Sequence, residues 1–366
     1  MARGGAAGGL GGDTSGRRAG ETGAATLEYV GMTVLVVVLV LGVLLTPAGP
    51  ALQGAYLRAV CKVTSSQNCG VPAAAGPTPL QRATGGRYVA MGDSYSSGEG
   101  AWDYQEGTDF DDRNDLWPFN DNEESHNRCH RSDHAYSKVV AGANHFAHGY
   151  TFVACSGAVT SDLDHPNHNQ TGEDPQLAAL GDDVSLVTLT VGGNDLGFAD
   201  ILTACIENGA RGVPLVATCQ EKYEPGFQGR LDALQKTLLG YYAKIKENAP
   251  AARIVVVGYP RLFPDNPQDS YGNLLFKEDQ VWMNQKADVL NAMLRETARQ
   301  AGVEFVDPTE AFSGHGIGSD DPWINDLDFG GPGVMIASPS SFHPNARGHA
   351  AIAQLLQQQL EHPRYP

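Results

Sequence analysis

Two runs constrain the fold of this chain more than any other feature. Ser185–Val191 reads SLVTLTV and Arg253–Tyr259 reads RIVVVGY. Both are apolar on both faces, the pattern of strands buried between two layers rather than strands with one face in water. Shorter strand-like runs lie at Tyr88–Met91, Tyr150–Ala154 and Val303–Val306. Helical periodicity covers Gln228–Asn248, Lys277–Ala301 and Pro344–Leu360, and Pro344 suits a first helical turn. Strands separated by helices predict a parallel sheet covered on both sides. In such sheets the active site lies at the carboxyl ends of the strands.

Three of the predicted strands run directly into short polar motifs. Met91-Gly92-Asp93-Ser94-Tyr95-Ser96 follows the first, Cys155-Ser156-Gly157-Ala158 the second, and Gly192-Gly193-Asn194-Asp195 the third. Far downstream, Ser341-Phe342-His343-Pro344-Asn345 opens the last helical stretch. A serine hydroxyl is unreactive until a base removes its proton, so Ser94 is the candidate nucleophile and His343 its base. The same imidazole would then protonate a leaving alcohol. Charge builds on the carbonyl oxygen during ester cleavage, and preorganised donors stabilise it. Gly157 suits a backbone donor, because a missing side chain permits close approach. Asn194 suits a side-chain amide donor. Each motif alone also reads as an ordinary turn. Their shared place at strand ends is what joins them into one site.

The chain has 366 residues, 42% of them hydrophobic, enough for one large domain or two ordinary ones. A net charge of −17 argues against a nucleic-acid surface. The six cysteines, Cys61, Cys69, Cys129, Cys155, Cys205 and Cys219, include no CxxC pair. That disfavours a zinc ribbon and favours three disulfides in an oxidising compartment over free buried thiols. Neighbour pairing, Cys61–Cys69, Cys129–Cys155 and Cys205–Cys219, is the expected arrangement, although counting alone does not set it.

Residues 29–46 form an uncharged run of the length that spans a bilayer. Arg3, Arg17 and Arg18 precede it, and no basic residue follows until Arg58. The positive-inside rule then puts the N-terminus in the cytoplasm and the rest outside, with the run as an anchor or a removable signal. Residues 20–29 resemble the start of pilin-like class III signal segments. Residues 1–28 read as a disordered leader and 47–86 as an Ala/Gly/Pro-rich stalk, with the folded domain, read as monomeric, occupying 87–366.

Asp103–Glu124 is acidic and reads as a surface loop at the cleft mouth. Asp109, Asp111, Asp112 and Asp115 offer carboxylates for calcium, but the spacing lacks the EF-hand glycine and final glutamate, so a solvated loop is expected. His126, His130 and His134 would align on a helix, yet their context reads as a loop rather than a metal site. Tyr95, Trp102, Trp117, Phe119 and Trp323 are candidates to line an acyl groove or to cover core.

The segments GDSYSSGEG (92–100), SGA (156–158), GGND (192–195) and SFHPN (341–345) resemble the four blocks of the SGNH/GDSL hydrolase superfamily. The strongest likeness is to its actinobacterial secreted esterases and lipases. They share CHRSDHAYS (129–137), VACSGA (153–158), VTLTVGGNDLGF (187–198), GYPRLFP (258–264), DDPWIN (320–325) and SFHPNARGHAAIA (341–353). The resemblance covers about Arg87 to Leu360. It implies a flavodoxin-like three-layer α/β/α sandwich with a central parallel five-stranded sheet, and neither metal nor cofactor. It also implies pairing of Cys129 with Cys155 and of Cys205 with Cys219. By block, the nucleophile falls on Ser94, the oxyanion donors on the Ser94 backbone, Gly157 and Asn194, and the base on His343. The superfamily commonly has Asp three residues before the histidine, where this chain has Ser340. The Ser340 carbonyl is therefore expected to accept from His343 Nδ1, with Asp307, Asp320 and Asp321 as acids from elsewhere in the chain. The implied activity is a serine esterase or lipase acting on a small-molecule or lipid ester. The alternatives are a phospholipase or acyltransferase on the same residues, or a non-catalytic pilin-like surface protein.

Overall fold

The structure is a computed structural model. It describes residues 76–109, 127–170, 172–198, 201–202, 205, 219–268, 275–328 and 338–364. The apolar run at 29–46, most of the predicted stalk and the Cys61–Cys69 pair lie outside these residues. Among the described residues, no helix is long and apolar enough to cross a membrane.

Five strands form one sheet: β1 (Arg87–Gly92), β2 (Tyr150–Phe152), β3 (Val184–Thr190), β4 (Arg253–Val257) and β5 (Glu304–Val306). All neighbours pair in parallel, in the order β2-β1-β3-β4-β5, the order of a flavodoxin-like doubly wound sheet. The helices are α1 (Pro79–Thr84), α2 (Ser94–Ser97), α3 (Tyr136–Ala143), α4 (Cys219–Tyr223), α5 (Phe227–Asn248), α6 (Lys277–Ala301) and α7 (Ala346–Glu361). Alternation along the strands divides the core. Tyr88, Ala90, Leu186, Val255 and Val257 face one way, packing with Tyr136 and Val140 of α3 and Ile352 and Leu356 of α7. Val89, Met91, Val187, Leu189, Ile254 and Val256 face the other way, against Leu231, Leu234 and Leu238 of α5 and Leu290 and Leu294 of α6. The result is the expected three-layer α/β/α sandwich.

The structure shifts some boundaries. Helix α1 falls in the stretch read as stalk, and the compact unit begins at Pro77. Thr78 caps it in a reciprocal arrangement with Gln81, and Pro79 opens its first turn. Helix α7 starts after Asn345 rather than at Pro344, because the Asn345 side chain accepts from Arg347 N and Gly348 N. At the amino edge of the sheet, far along β4 from its carboxyl end, Arg253 grips Glu304 of β5 at 2.7 Å on both carboxylate oxygens. Its Nη1 also donates to Pro79 O at 2.9 Å and Leu360 O at 2.8 Å, which satisfies a carbonyl of the last turn of α7.

The predicted Cys129–Cys155 disulfide is present, closing a sequence separation of 26 residues. Cys205 is also disulfide-bonded, but its partner's side chain lies outside the described residues. The Cys129–Cys155 bond joins the segment after the acidic loop to the turn after β2, and both cysteines are buried with Ala158. The double variant Cys129→Ala/Cys155→Ala is expected to lose about 3 kcal/mol of stability, read by chemical denaturation beside the oxidised parent.

Candidate active site

The strand order makes one place on the carboxyl edge open: the point between β1 and β3 where the chain reverses direction across the sheet. The turn after β1 is tight because Gly92 lies against β3. A Cβ there would sit 2.2 Å from Thr190 O, and its φ of 118° is one that glycine adopts readily. Asp93 then caps the short helix α2, its carboxylate accepting from Tyr95 N at 3.0 Å. Ser94 is the first residue of that helix and is 6% exposed.

His343 arrives from the far end of the chain. Its Nε2 lies 2.8 Å from Ser94 Oγ, the spacing of an activated nucleophile and its base. Its Nδ1 lies 3.0 Å from the Ser341 carbonyl. This corrects the expectation for Ser340. Phe342 has a φ of 65°, in the left-handed region, and the turn it makes presents the carbonyl two residues back to the imidazole. The Ser340 carbonyl instead accepts from Asn325 Nδ2 at 3.2 Å. A carbonyl fixes the Nε2-acceptor tautomer without a second buried charge. None of Asp307, Asp320 and Asp321 bonds to His343, and the first and last pair with Arg295 and Arg347. Burial lowers the His343 pKa below its ordinary value, opposed by the nearby negative charge of Glu99.

The Gly157 and Asn194 turns come to the same place. Gly157, with φ 80°, lines the cavity beside Ser94, and its N–H makes no hydrogen bond among the described residues. Asn194 Nδ2 donates to Ala158 O at 2.9 Å, which fixes the amide and leaves its second N–H for the cavity it lines. The four predicted residues are thus assembled around one cavity of about 310 Å³.

Further residues hold this geometry, and the sequence reading passed over Asn325 and Tyr259 among them. Asn325 exchanges backbone bonds with the histidine loop, its N–H donating to His343 O and its O accepting from Phe342 N. Its side chain bridges to Gly100 O at 2.7 Å. Tyr259 donates to Asp93 at 2.5 Å while accepting from Gly193 N at 2.8 Å. Burial pushes the Asp93 carboxyl up to about 7, against the hydrogen bonds from Tyr259 and the Tyr95 N–H. Tyr95 packs against the His343 ring at 4.9 Å and donates to Phe342 O at 2.9 Å.

Of the aromatic candidates that the structure describes, Tyr95 lines the cavity and Trp323 packs against the core. Trp102 is 54% exposed and Trp323 stacks on His315 at 3.7 Å, so neither lines the cavity. Trp117, Phe119, His126, Asp111, Asp112 and Asp115 lie outside the described residues. The apolar wall comes instead from Phe198, Leu202, Leu262, Met283 and Leu290. His130 and His134 lie outside the helices: His130 bonds Glu99, and His134 bonds Asp103 at 2.8 Å.

Gly100 gives a direct check of the histidine loop. A Cβ there would fall 2.5 Å from Asn325 Nδ2, and 3.0 Å from both His343 Cβ and Ser340 O. Gly100→Ala is expected to move the imidazole and to lower kcat/KM by tenfold or more on any accepted ester, with the circular dichroism spectrum retained.

Residues 90–351 match the model of the GDSL-like Lipase/Acylhydrolase family. A lipase of Streptomyces rimosus is 31% identical over 264 residues, covering 72% of this chain and 82% of its own. Lipase 1 of Streptomyces coelicolor is 32% identical over 274 residues, covering 74% and 85%. Among solved structures, the extracellular lipase of S. rimosus is similar with a TM-score of 0.59 at 29% identity, covering 75% of this chain and 99% of that one. The phospholipase A1 of Streptomyces albidoflavus NA297 gives a TM-score of 0.55 at 32% identity, again covering 75% and 99%. The chain belongs to the GDSL-like Lipase/Acylhydrolase family and is a carboxylic ester hydrolase.

Proposed function

We propose that the protein is an extracytoplasmic serine esterase or lipase in which Ser94 and His343 form a catalytic dyad. The observation that carries this reading is the 2.8 Å contact between Ser94 Oγ and His343 Nε2 on the wall of an apolar cavity. Neutral His343 takes the Ser94 proton as Oγ attacks the ester carbonyl. The Ser94 and Gly157 N–H groups and the Asn194 amide receive the oxygen as it becomes negative. The imidazolium protonates the leaving alcohol, and water, activated by the same imidazole, releases the acid. The Ser341 carbonyl holds the ring in the right tautomer throughout. No metal or cofactor enters these steps.

Phe198, Leu202, Leu262, Met283 and Leu290 make the cavity an acyl site. An extracytoplasmic setting is supported by the Cys129–Cys155 disulfide and by the likeness to an extracellular lipase. The uncharged run at 29–46 is the segment that would tether the enzyme to a membrane. A phospholipid acyl ester is the second substrate class, favoured by the likeness to a phospholipase A1.

Hydrolysis of p-nitrophenyl esters from acetate upward tests both the machinery and the acyl site. Ser94→Ala is expected to cut turnover by at least about 10³-fold, as loss of a serine nucleophile does. Each CH₂ entering the apolar cavity contributes about 0.8 kcal/mol, or about fourfold. The kcat/KM should therefore climb by more than tenfold from acetate to butyrate, and a flat or falling series would remove the acyl-site assignment.

The pH profile follows from the active form of His343. A lowered pKa keeps the imidazole neutral further into acid, so kcat/KM is expected to fall only as pH drops through a midpoint below 6.5. A limb centred near 7 would instead point to ionisation of Asp93.

A further inference from the structure

Glu99 is the last residue but one of the GDSYSSGEG segment and is 1% exposed, deep beside the site. A buried carboxylate is costly unless it is paired and hydrogen-bonded. Glu99 has both kinds of partner. Its Oε2 receives the Ser156 hydroxyl at 2.7 Å and faces His130 Nδ1 at 2.5 Å. Its Oε1 receives the Tyr104 hydroxyl at 3.1 Å, while that hydroxyl accepts from Gly100 N at 2.9 Å. Its own N–H donates to Ser94 O at 3.1 Å. His130, itself 8% exposed, holds a φ of 46° to reach the carboxylate and stacks on Tyr104 at 4.5 Å.

The partners matter because of their chain neighbours. Ser156 immediately precedes Gly157, whose N–H has no other acceptor among the described residues. His130 and Ser156 each follow one half of the Cys129–Cys155 disulfide, and Ser156 N donates to Cys129 O at 3.0 Å. The disulfide sets the spacing of the two segments at one residue, and Glu99 fixes it at the next. Gly157 has a φ of 80° and nothing nearer than 3.8 Å where a Cβ would stand, so no packing on that face holds the turn, which rests on bonds of its neighbours: Ala158 N to Cys155 O at 3.1 Å, Asn194 Nδ2 to Ala158 O at 2.9 Å, and the Ser156 hydroxyl to Glu99 at 2.7 Å.

We propose that Glu99 is a positioning residue for ester hydrolysis, holding the Gly157 N–H against the developing oxyanion through the Ser156 hydroxyl, with His130 and Tyr104 fixing the carboxylate. This rests on the reading of Ser94 and Gly157 given above. It assigns the Glu99–His130 pair to the oxyanion loop rather than to fold stability alone.

Kinetics on p-nitrophenyl butyrate test it, with Ser94→Ala, Ser156→Ala, Ser156→Thr, Glu99→Gln and the double variant Glu99→Gln/Ser156→Ala. Ser156→Ala is expected to lower kcat about tenfold with KM within twofold, and to weaken binding of an alkyl boronic acid, which mimics the oxyanion, by a similar factor. Ser156→Thr, which keeps the hydroxyl, should restore most of both. The double variant should fall no further than Glu99→Gln alone, because the two groups act through one bond. If Glu99→Gln does not fold, the Ser156 pair and the boronic acid affinities decide alone. Full kcat and boronic acid affinity in Ser156→Ala, with Ser94→Ala dead, would overturn the positioning role and leave the nucleophile assignment standing. Turnover surviving in Ser94→Ala would overturn both.

Discussion

Every part of the site depends on β1 lying between β2 and β3. That placement brings the turns after all three strands to one edge, and the bonds there are short and mutual. Asp93 N donates to Thr190 O at 2.8 Å, Thr190 N donates to Ser96 Oγ at 2.8 Å, and Gln176 clamps both backbone groups of Gly92 at 2.7 and 3.0 Å. The nucleophile turn is thereby fixed to the end of β3, where Gly193 and Asn194 begin. Gly92 is required at this point, since any side chain would enter the Thr190 carbonyl. A buried parallel sheet thus supplies rigidity that short loops alone would lack.

The histidine is held differently, by backbone rather than by sheet. His343 follows a residue in the left-handed region and takes its orientation from a carbonyl. A carboxylate at that place would stabilise imidazolium more strongly, but would also put a second charge beside a half-buried ring. The negative charge is instead set back at Glu99. Burial pushes that carboxyl up, yet His130, the more distant His343 and the Ser156 hydroxyl together hold it below its ordinary range, so it stays ionised. Its field favours protonated His343, and burial of the ring opposes it.

The residues proposed to touch the reacting atoms were legible in the sequence, and their supports were not, for physical reasons. SLVTLTV and RIVVVGY announce a sheet buried on both faces, and strand ends locate Ser94, Gly157 and Asn194 without coordinates. The carbonyl facing His343 was misplaced by one residue, because the φ of Phe342 is a tertiary outcome of its bonds to Asn325. Helix α7 began later than its apolar period implied, because Asn345 is a better cap than Pro344 is a start. The acyl wall was invisible because Met283 and Leu290 carry the helical spacing of core residues in α6, and Leu202 and Leu262 lie on separate segments. Large aromatics drew attention, yet Trp102 and Trp323 serve elsewhere. Glu99 and His130 lie 31 residues apart, and no periodicity in the sequence between them pairs the two.

Two polar networks flank Ser94, and their directions can be derived from donors and acceptors alone. On one side, Gly193 N–H can only donate, so the Tyr259 oxygen accepts and its proton must go to Asp93. Asp93 in turn accepts from Tyr95 N, so the ends of β1, β3 and β4 share one chain of hydrogen bonds with a fixed sense. On the other side, Gly100 N–H obliges the Tyr104 hydroxyl to donate to Glu99, which also receives Ser156 and faces His130. That second chain joins the nucleophile helix to the turn after β2. Because neither network can reverse its protons without stranding a backbone N–H, each has one low-energy arrangement. The proposed oxyanion donors are therefore set before substrate arrives: the Asn194 turn by the Tyr259 chain, and the Gly157 turn by the Glu99 cluster. Fixed donors of this kind need no reorganisation as charge develops, the condition under which an oxyanion site lowers a barrier most.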